Sequence, residues 1–143
     1  MRKNREEEQH QVAFVHWFRV QYPKYADLLT VASFGENIGA RRMARLKQMG
    51  LTPGYPDLML CLPKRIENYR YARFGRPEEW SVEFIAGLFI EMKSKDGAVN
   101  QRQKEIHEKL RKHHYQVEIA YNWNEAKLII SEYFRNCPEI PDN

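Results

Sequence analysis

At 143 residues, with 43% hydrophobic residues and 3 Trp, 8 Tyr and 7 Phe, the chain can bury a core, which excludes a disordered composition. A formal net charge of +4 favours an anionic partner without naming one. No apolar run nears the length of a membrane span and the N-terminus has no apolar signal core, so a soluble, cytoplasmic protein is expected. Cys61 and Cys137 lack CxxC spacing and read as reduced thiols.

The first predicted element is a helix from Glu6, with Val12, Phe14, Val15, Trp17, Phe18 and Tyr22 as its apolar positions and Pro23 as its stop. Glu6, Glu7 and Glu8 suit a solvated helix start. Glu7 and Gln11 are one turn apart, however, and share a face that could look into a site. Leu28 to Phe34 is β-prone enough for a short strand, and Gly35 to Gly39 reads as a turn. Ala40 to Met49 follows as a helix made basic by Arg41, Arg42, Arg45 and Lys47, with Gly50 in the C′ position. Those charges describe a solvated face as well as they describe phosphate contacts.

Thr52 to Pro56 is turn-rich and leads to Asp57, after which Leu58 to Leu62 reads as a buried strand stopped by Pro63. Lys64 to Glu83 is polar, aromatic and basic, with Arg65, Tyr69, Arg70, Tyr71, Arg73, Phe74, Arg76 and Trp80. It exceeds a tight turn and is read as an excursion between two strands. Its composition fits base stacking, a satellite cluster or a subunit contact equally. Phe84 to Met92 is the second core strand, with Gly87 marking a bulge or a close approach. Lys93 to Gly97 is a charged turn containing Lys95, and Asn100 is the N-cap of a helix to about His114 with Ile106 and Leu110 inward. Gln116 to Tyr121 alternates, with Val117, Ile119 and Tyr121 on one face. Trp123 or Asn124 opens a last helix in which Ala126, Leu128, Ile129, Tyr133 and Phe134 are available for packing. The order predicts a single α/β domain, core about 6–134, built on a mixed sheet flanked by helices.

Chemistry concentrates at Pro56-Asp57 and Glu91-Met92-Lys93, a PD…ExK pattern in strand context on both sides. Two carboxylates can hold a hard divalent cation such as Mg²⁺, and a lysine two residues on shares the strand face. Such a set activates water and offsets charge developing on a phosphate. The motif alone is short enough to arise by chance. His10, His16, His107, His113 and His114 form no metal set and read as structural or solvent-facing. A glycine-rich nucleotide loop is absent, so no nucleotide cofactor is expected.

The wider pattern is specific. Glu7, Gln9 and Gln11 stand ahead of Val12-Ala13-Phe14-Val15-His16-Trp17-Phe18. Asn37 and Gly39 follow, then Gly50 through Gly54-Tyr55-Pro56-Asp57-Leu58, then Phe89-Ile90-Glu91-Met92-Lys93-Ser94, Gly97, Gln103 and Leu110. In this the chain resembles a stand-alone VRR-NUC domain of the PD-(D/E)xK nuclease superfamily, over nearly its whole length. The resemblance implies a restriction-endonuclease-like fold and cleavage of DNA phosphodiesters with Mg²⁺ or Mn²⁺. It makes Asp57 and Glu91 metal ligands and Lys93 the catalytic lysine. Glu7 would complete or support the acidic site, with Glu8 its substitute if the register is off by one, and Gln103 would be a supporting polar contact.

Small members of the family, in phages and bacteria, imply an intracellular homodimer acting on branched DNA such as Holliday junctions. Arg41, Arg42, Arg45, Lys47 and Lys95 are the candidate DNA contacts. Two departures from the family pattern stand out: the long excursion from Lys64 to Glu83, and His114-Tyr115 where a glycine-containing turn is common. A non-catalytic nucleic-acid-binding module and a flap- or end-processing nuclease are the competing readings. A purely structural pairing of Asp57 and Glu91 with Lys93 is the third.

Overall fold

The computed structural model describes residues 2–34, 38–71 and 77–135, with the side chains of 2–4, 67–71 and 77–81 excepted. In chain order these form α1 (Arg2–Gln21), a 3-10 helix (Pro23–Leu28), β1 (Leu29–Val31), α2 (Ala40–Gln48), β2 (Leu58–Leu60), β3 (Lys64–Tyr71) and β4 (Pro77–Ile85). Then come β5 (Gly87–Met92), α3 (Gln101–Lys112), β6 (Tyr115–Ala120) and α4 (Trp123–Arg135). The main sheet runs β1-β2-β5-β6, and β3 with β4 makes a separate two-stranded sheet. β1 and β5 are antiparallel to β2, whereas β6 is parallel to β5 and reached through the α3 crossover. This is the expected mixed sheet flanked by helices.

Strand alternation divides the core between the two faces. Leu88, Ile90 and Met92 of β5 join Leu58 and Leu60 of β2 under Phe14 and Phe18 of α1 and Ala126, Ile130 and Tyr133 of α4. Phe89 turns to the other face, where it packs with Val117 of β6 and Ile106 and Leu110 of α3. Each fully buried side chain of this kind contributes about 1.5–3 kcal/mol. Because both faces are covered, β5 is buried at every residue. Tyr22 and Phe134 stack at 4.4 Å and join the ends of α1 and α4.

Several elements differ from their sequence reading. α1 begins four residues before Glu6, and Val12, expected in its apolar stripe, is 69% exposed. The strand expected over Leu28 to Phe34 shrinks to three residues, because Pro23 opens a 3-10 helix that runs to Leu28. The Lys64–Glu83 excursion is itself an antiparallel strand pair, in register from Lys64↔Ile85 to Arg70↔Glu79, with a register shift before Tyr71↔Pro77. The single strand expected over Phe84 to Met92 therefore divides at Ala86, whose N–H donates to the His114 carbonyl. Gly87 marks a close approach: a Cβ there would lie 2.9 Å from the Leu60 carbonyl oxygen.

α3 ends at Lys112, and His114 takes φ +67°, the left-handed conformation that the expected glycine would supply. β6, at the edge of the sheet, is buried at Val117 on one face and Ala120 on the other, with Ile119 half-buried, and Tyr121 lies beyond it, 38% exposed. On α4 the expected Ala126 and Tyr133 are buried, joined by Ile130, with Ile129 and Phe134 partly buried against them, while Leu128 is 69% exposed. Gly35, Glu36, Asn37, Arg73, Phe74, Arg76 and Cys137 lie outside the described residues, as do the side chains of Tyr69, Arg70, Tyr71 and Trp80. Cys61 is a free, exposed thiol just past β2. Among the described residues no helix is long and apolar enough to cross a membrane.

α2 ends in paired capping bonds, Leu51 N–H to Leu46 O and Gly50 N–H to Lys47 O, around Gly50 at φ +109°. The chain then turns through Gly54, at φ +95°, where a Cβ would meet the Arg102 carbonyl oxygen at 2.9 Å and Ile106 at 3.1 Å. This turn delivers Asp57 to the head of β2. Gly54→Ala should therefore destabilise the fold by about 1–3 kcal/mol from backbone strain, with the contact to α3 adding to it. Denaturant unfolding checks this, and an unchanged midpoint would contradict the assigned turn.

Candidate active site

The antiparallel register of β2 and β5 pairs Leu58 with Ile90, Met59 with Phe89 and Leu60 with Leu88. One step further along that register, Asp57 stands opposite Glu91. Its backbone is fixed by the bond from Ala32 N–H to Asp57 O at 2.8 Å, which continues the β1 pairing. Its side chain crosses to β5, where Met92 N–H donates to Oδ2 at 2.7 Å. The alternation that places Phe89 under α3 also turns Glu91 toward α3, where it is only 2% exposed.

α3 is built to meet it. Asn100 and Gln103 form a reciprocal capping box, with Gln103 N–H donating to Asn100 Oδ1 at 2.9 Å and Asn100 N–H donating to Gln103 Oε1 at 3.0 Å. With its oxygen so engaged, the Gln103 amide presents Nε2 to Glu91 Oε1 at 2.7 Å. Lys93 Nζ reaches the same oxygen at 2.9 Å, with 13% of its side chain exposed. From α1, Glu7 Oε1 accepts from Ser94 N–H at 2.8 Å and ties that helix to the end of β5. Glu7, Asp57, Glu91, Lys93 and Gln103 are thus brought together from four elements distant in sequence.

A cleft of about 1100 Å³ opens over this group. Glu7, Glu8, Gln11, Asp57, Glu91, Lys93 and Gln103 line it, together with His16, Arg19, Phe34, Met43, Tyr55 and Arg102. Glu8 thus borders the cleft, but it is Glu7 that bonds to the β5 end. Arg41, Arg42, Arg45 and Lys47 are exposed on α2 but do not line the cleft, and neither does exposed Lys95. Lys64 is buried, with its ammonium 4.1 Å from the centre of the Tyr133 ring.

The sequence reading overlooked Arg19, His16 and Arg102 at the cleft. Glu8, Val12, Val15 and Arg19 recur at helical spacing, so the face they share could have been read from α1. His107 is another omission. It is buried on α3 one turn after Gln103, with Nε2 3.7 Å from Glu91 Oε2.

The electrostatics are those of crowded negative charge. Burial, then the adjacent Glu91 carboxylate, raises Asp57 from 3.8 to about 7, against the opposing pull of the Met92 N–H and Lys93. For Lys93, burial is the largest influence and works against its charge. The hydrogen bond to Glu91 and the charges of Glu91, Glu7 and Asp57 outweigh it and hold the ammonium above the ordinary lysine value.

A cation would relieve that crowding. Among the described residues no three His, Cys, Asp or Glu side chains gather as a metal cage. Mg²⁺, however, is usually bound through one or two carboxylates, with water and substrate phosphate completing its shell. Glu91 Oε2, buried and without a hydrogen bond, is a free donor atom for such an ion. The paired carboxylates fit a hard divalent cation.

The shift at Asp57 has a signed consequence. Between about pH 4 and 7 the folded protein keeps a proton that the unfolded chain has lost, so this residue makes stability fall as pH rises through that window. In EDTA, the melting temperature of wild type minus that of Asp57→Asn should decline from pH 4 to pH 7. A difference that stays flat or increases would contradict the assignment.

The VRR-NUC domain profile matches residues 5–123 of this chain. A solved VRR_NUC domain protein superposes with a TM-score of 0.67 at 24% identity, covering 92% of this chain and 90% of that one, a likeness of fold. No curated protein matches the sequence.

Proposed function

The chain belongs to the VRR-NUC domain family, a family of nuclease-type domains, and we propose that it is an endonuclease hydrolysing DNA phosphodiesters with Mg²⁺ or Mn²⁺. The observation that carries this reading is the facing pair Asp57 and Glu91, with Lys93 bonded to Glu91, at the floor of an open cleft. Asp57 and Glu91 would hold the ion, which supplies Lewis-acid polarisation of a phosphoryl oxygen. Lys93, held in its charged form, donates to the negative charge that grows on the phosphate in the transition state. Gln103 fixes the plane of Glu91. Glu7 adds negative potential and secures α1 against the β5 end.

Arg19 and Arg102 are placed for phosphates entering the cleft. The exposed cations Arg41, Arg42, Arg45, Lys47 and Lys95 would serve the flanking backbone. The substrate is taken to be branched DNA, four-way junctions included, cut by a homodimer that supplies paired active sites. This finer reading rests on the resemblance in sequence to small members of the family.

The test compares wild type, Lys93→Ala and Asp57→Asn on a labelled four-way junction, flap, linear duplex and single strand, each with Mg²⁺, Mn²⁺ or EDTA. Wild type should cut only with metal, and the junction fastest. Lys93→Ala should lose about a hundred- to a thousand-fold in rate, as for other donors aimed at developing charge. Asp57→Asn should fall to background. Tight binding without cutting in either metal would support a binding module instead, and preference for the flap would overturn the junction reading.

A further inference from the structure

Two residues of α3 face Glu91 from one side, one at each oxygen. Gln103 Nε2 donates to Oε1 at 2.7 Å, and His107, one helical turn later, presents Nε2 to Oε2 at 3.7 Å. His107 is 2% exposed, and its Nε2 and Glu91 Oε2 are both buried without a hydrogen-bond partner. Two buried, orphaned polar atoms facing one another are costly unless they bond. A charge-assisted bond between them would have a separation of roughly 2.7–2.9 Å.

Lone-pair arithmetic gives this contact a purpose. A carboxylate offers roughly four acceptor sites, two on each oxygen. Gln103 and Lys93 take both sites of Oε1. A bond from His107 takes one of Oε2 and leaves a single site. We propose that His107 is a positioning residue, donating Nε2–H to Glu91 Oε2 so that the remaining lone pair is aimed at the divalent ion. The inference rests on the metal-dependent reading above and deepens it. The hydrogen is carried on Nε2 in one neutral tautomer, so no change of charge is required. Residues that orient a metal's carboxylate ligands typically affect affinity by ten- to a hundred-fold.

Two readouts test this without relying on cleavage. Mn²⁺ binding to the full chain is measured by calorimetry for wild type, His107→Leu and His107→Gln, each first checked by thermal melting in EDTA. His107→Leu should fold and bind Mn²⁺ about ten- to a hundred-fold more weakly. His107→Gln, whose amide N–H can reach a similar point, should recover most of the loss. Equal affinity in wild type and His107→Leu, or no recovery by His107→Gln, would overturn the proposal and leave the nuclease reading standing.

Failure of the wild type itself to bind Mn²⁺ would instead overturn the nuclease reading. The second readout uses only wild type, so it holds even if a variant misfolds. Ring ¹⁵N shifts at pH about 8.5, above the usual histidine range, should show the hydrogen on Nε2. A hydrogen on Nδ1 would overturn the inference.

Discussion

Two carboxylates set against each other across a pair of antiparallel strands are the constraint on which the rest of this structure depends. The β2–β5 register that buries Leu58 and Leu60 opposite Ile90 and Leu88 also brings Asp57 and Glu91 together, and neither can move without shifting the core. The fold therefore stores unfavourable charge at one point. Its neighbours share that strain: Met92 N–H holds Asp57, while Lys93 and Gln103 hold Glu91. An apolar core would have packed more cheaply there, since buried charge costs several kcal/mol unless paired. Placing such an arrangement beneath an open cleft makes chemical sense if a cation and an anionic substrate complete it.

The surrounding elements serve that point from both faces of the sheet. α1 and α4 close one face with an aromatic-rich core, and α1 then reaches over the strand ends through Glu7 and Ser94 N–H. α3 closes the other face, and the first turn of the same helix supplies Gln103 from its own capping box. One glutamine thus links the start of a helix to a buried carboxylate on β5. The basic side chains of α2 do not line the cleft, whose cations are Arg19, Lys93 and Arg102.

What could be read from the sequence was what depends on local pattern. Pro56-Asp57 and Glu91-Met92-Lys93 are legible because turn residues and apolar runs flank them, and Asn100 announces the helix that brings Gln103. The β6 strand was legible, but the burial of Ala120 on the opposite face from Val117 was not, because it depends on the parallel pairing with β5. The β3–β4 pair was missed although Trp80, Val82 and Phe84 alternate with Glu79, Ser81 and Glu83, because the polar, aromatic and basic composition of Lys64 to Glu83 reads as an excursion. His107 reads as structural or solvent-facing, since nothing near it in sequence reveals the Glu91 carboxylate opposite. The basic run of α2 showed its charge but not which of its residues line the cleft, where the tertiary fold puts Met43 and not Arg41, Arg42, Arg45 or Lys47.

The central claim is that Asp57 and Glu91 together form a divalent-cation site, and it is tested most directly by locating the ion. Crystals of the wild-type chain grown with Mn²⁺ would reveal it through anomalous scattering. The account predicts a peak within coordination distance of both carboxylates, on the α3 face of the sheet and beside Lys93 Nζ. A fully occupied peak elsewhere, or crystals saturated with Mn²⁺ in which Lys93 alone neutralises Glu91, would contradict it.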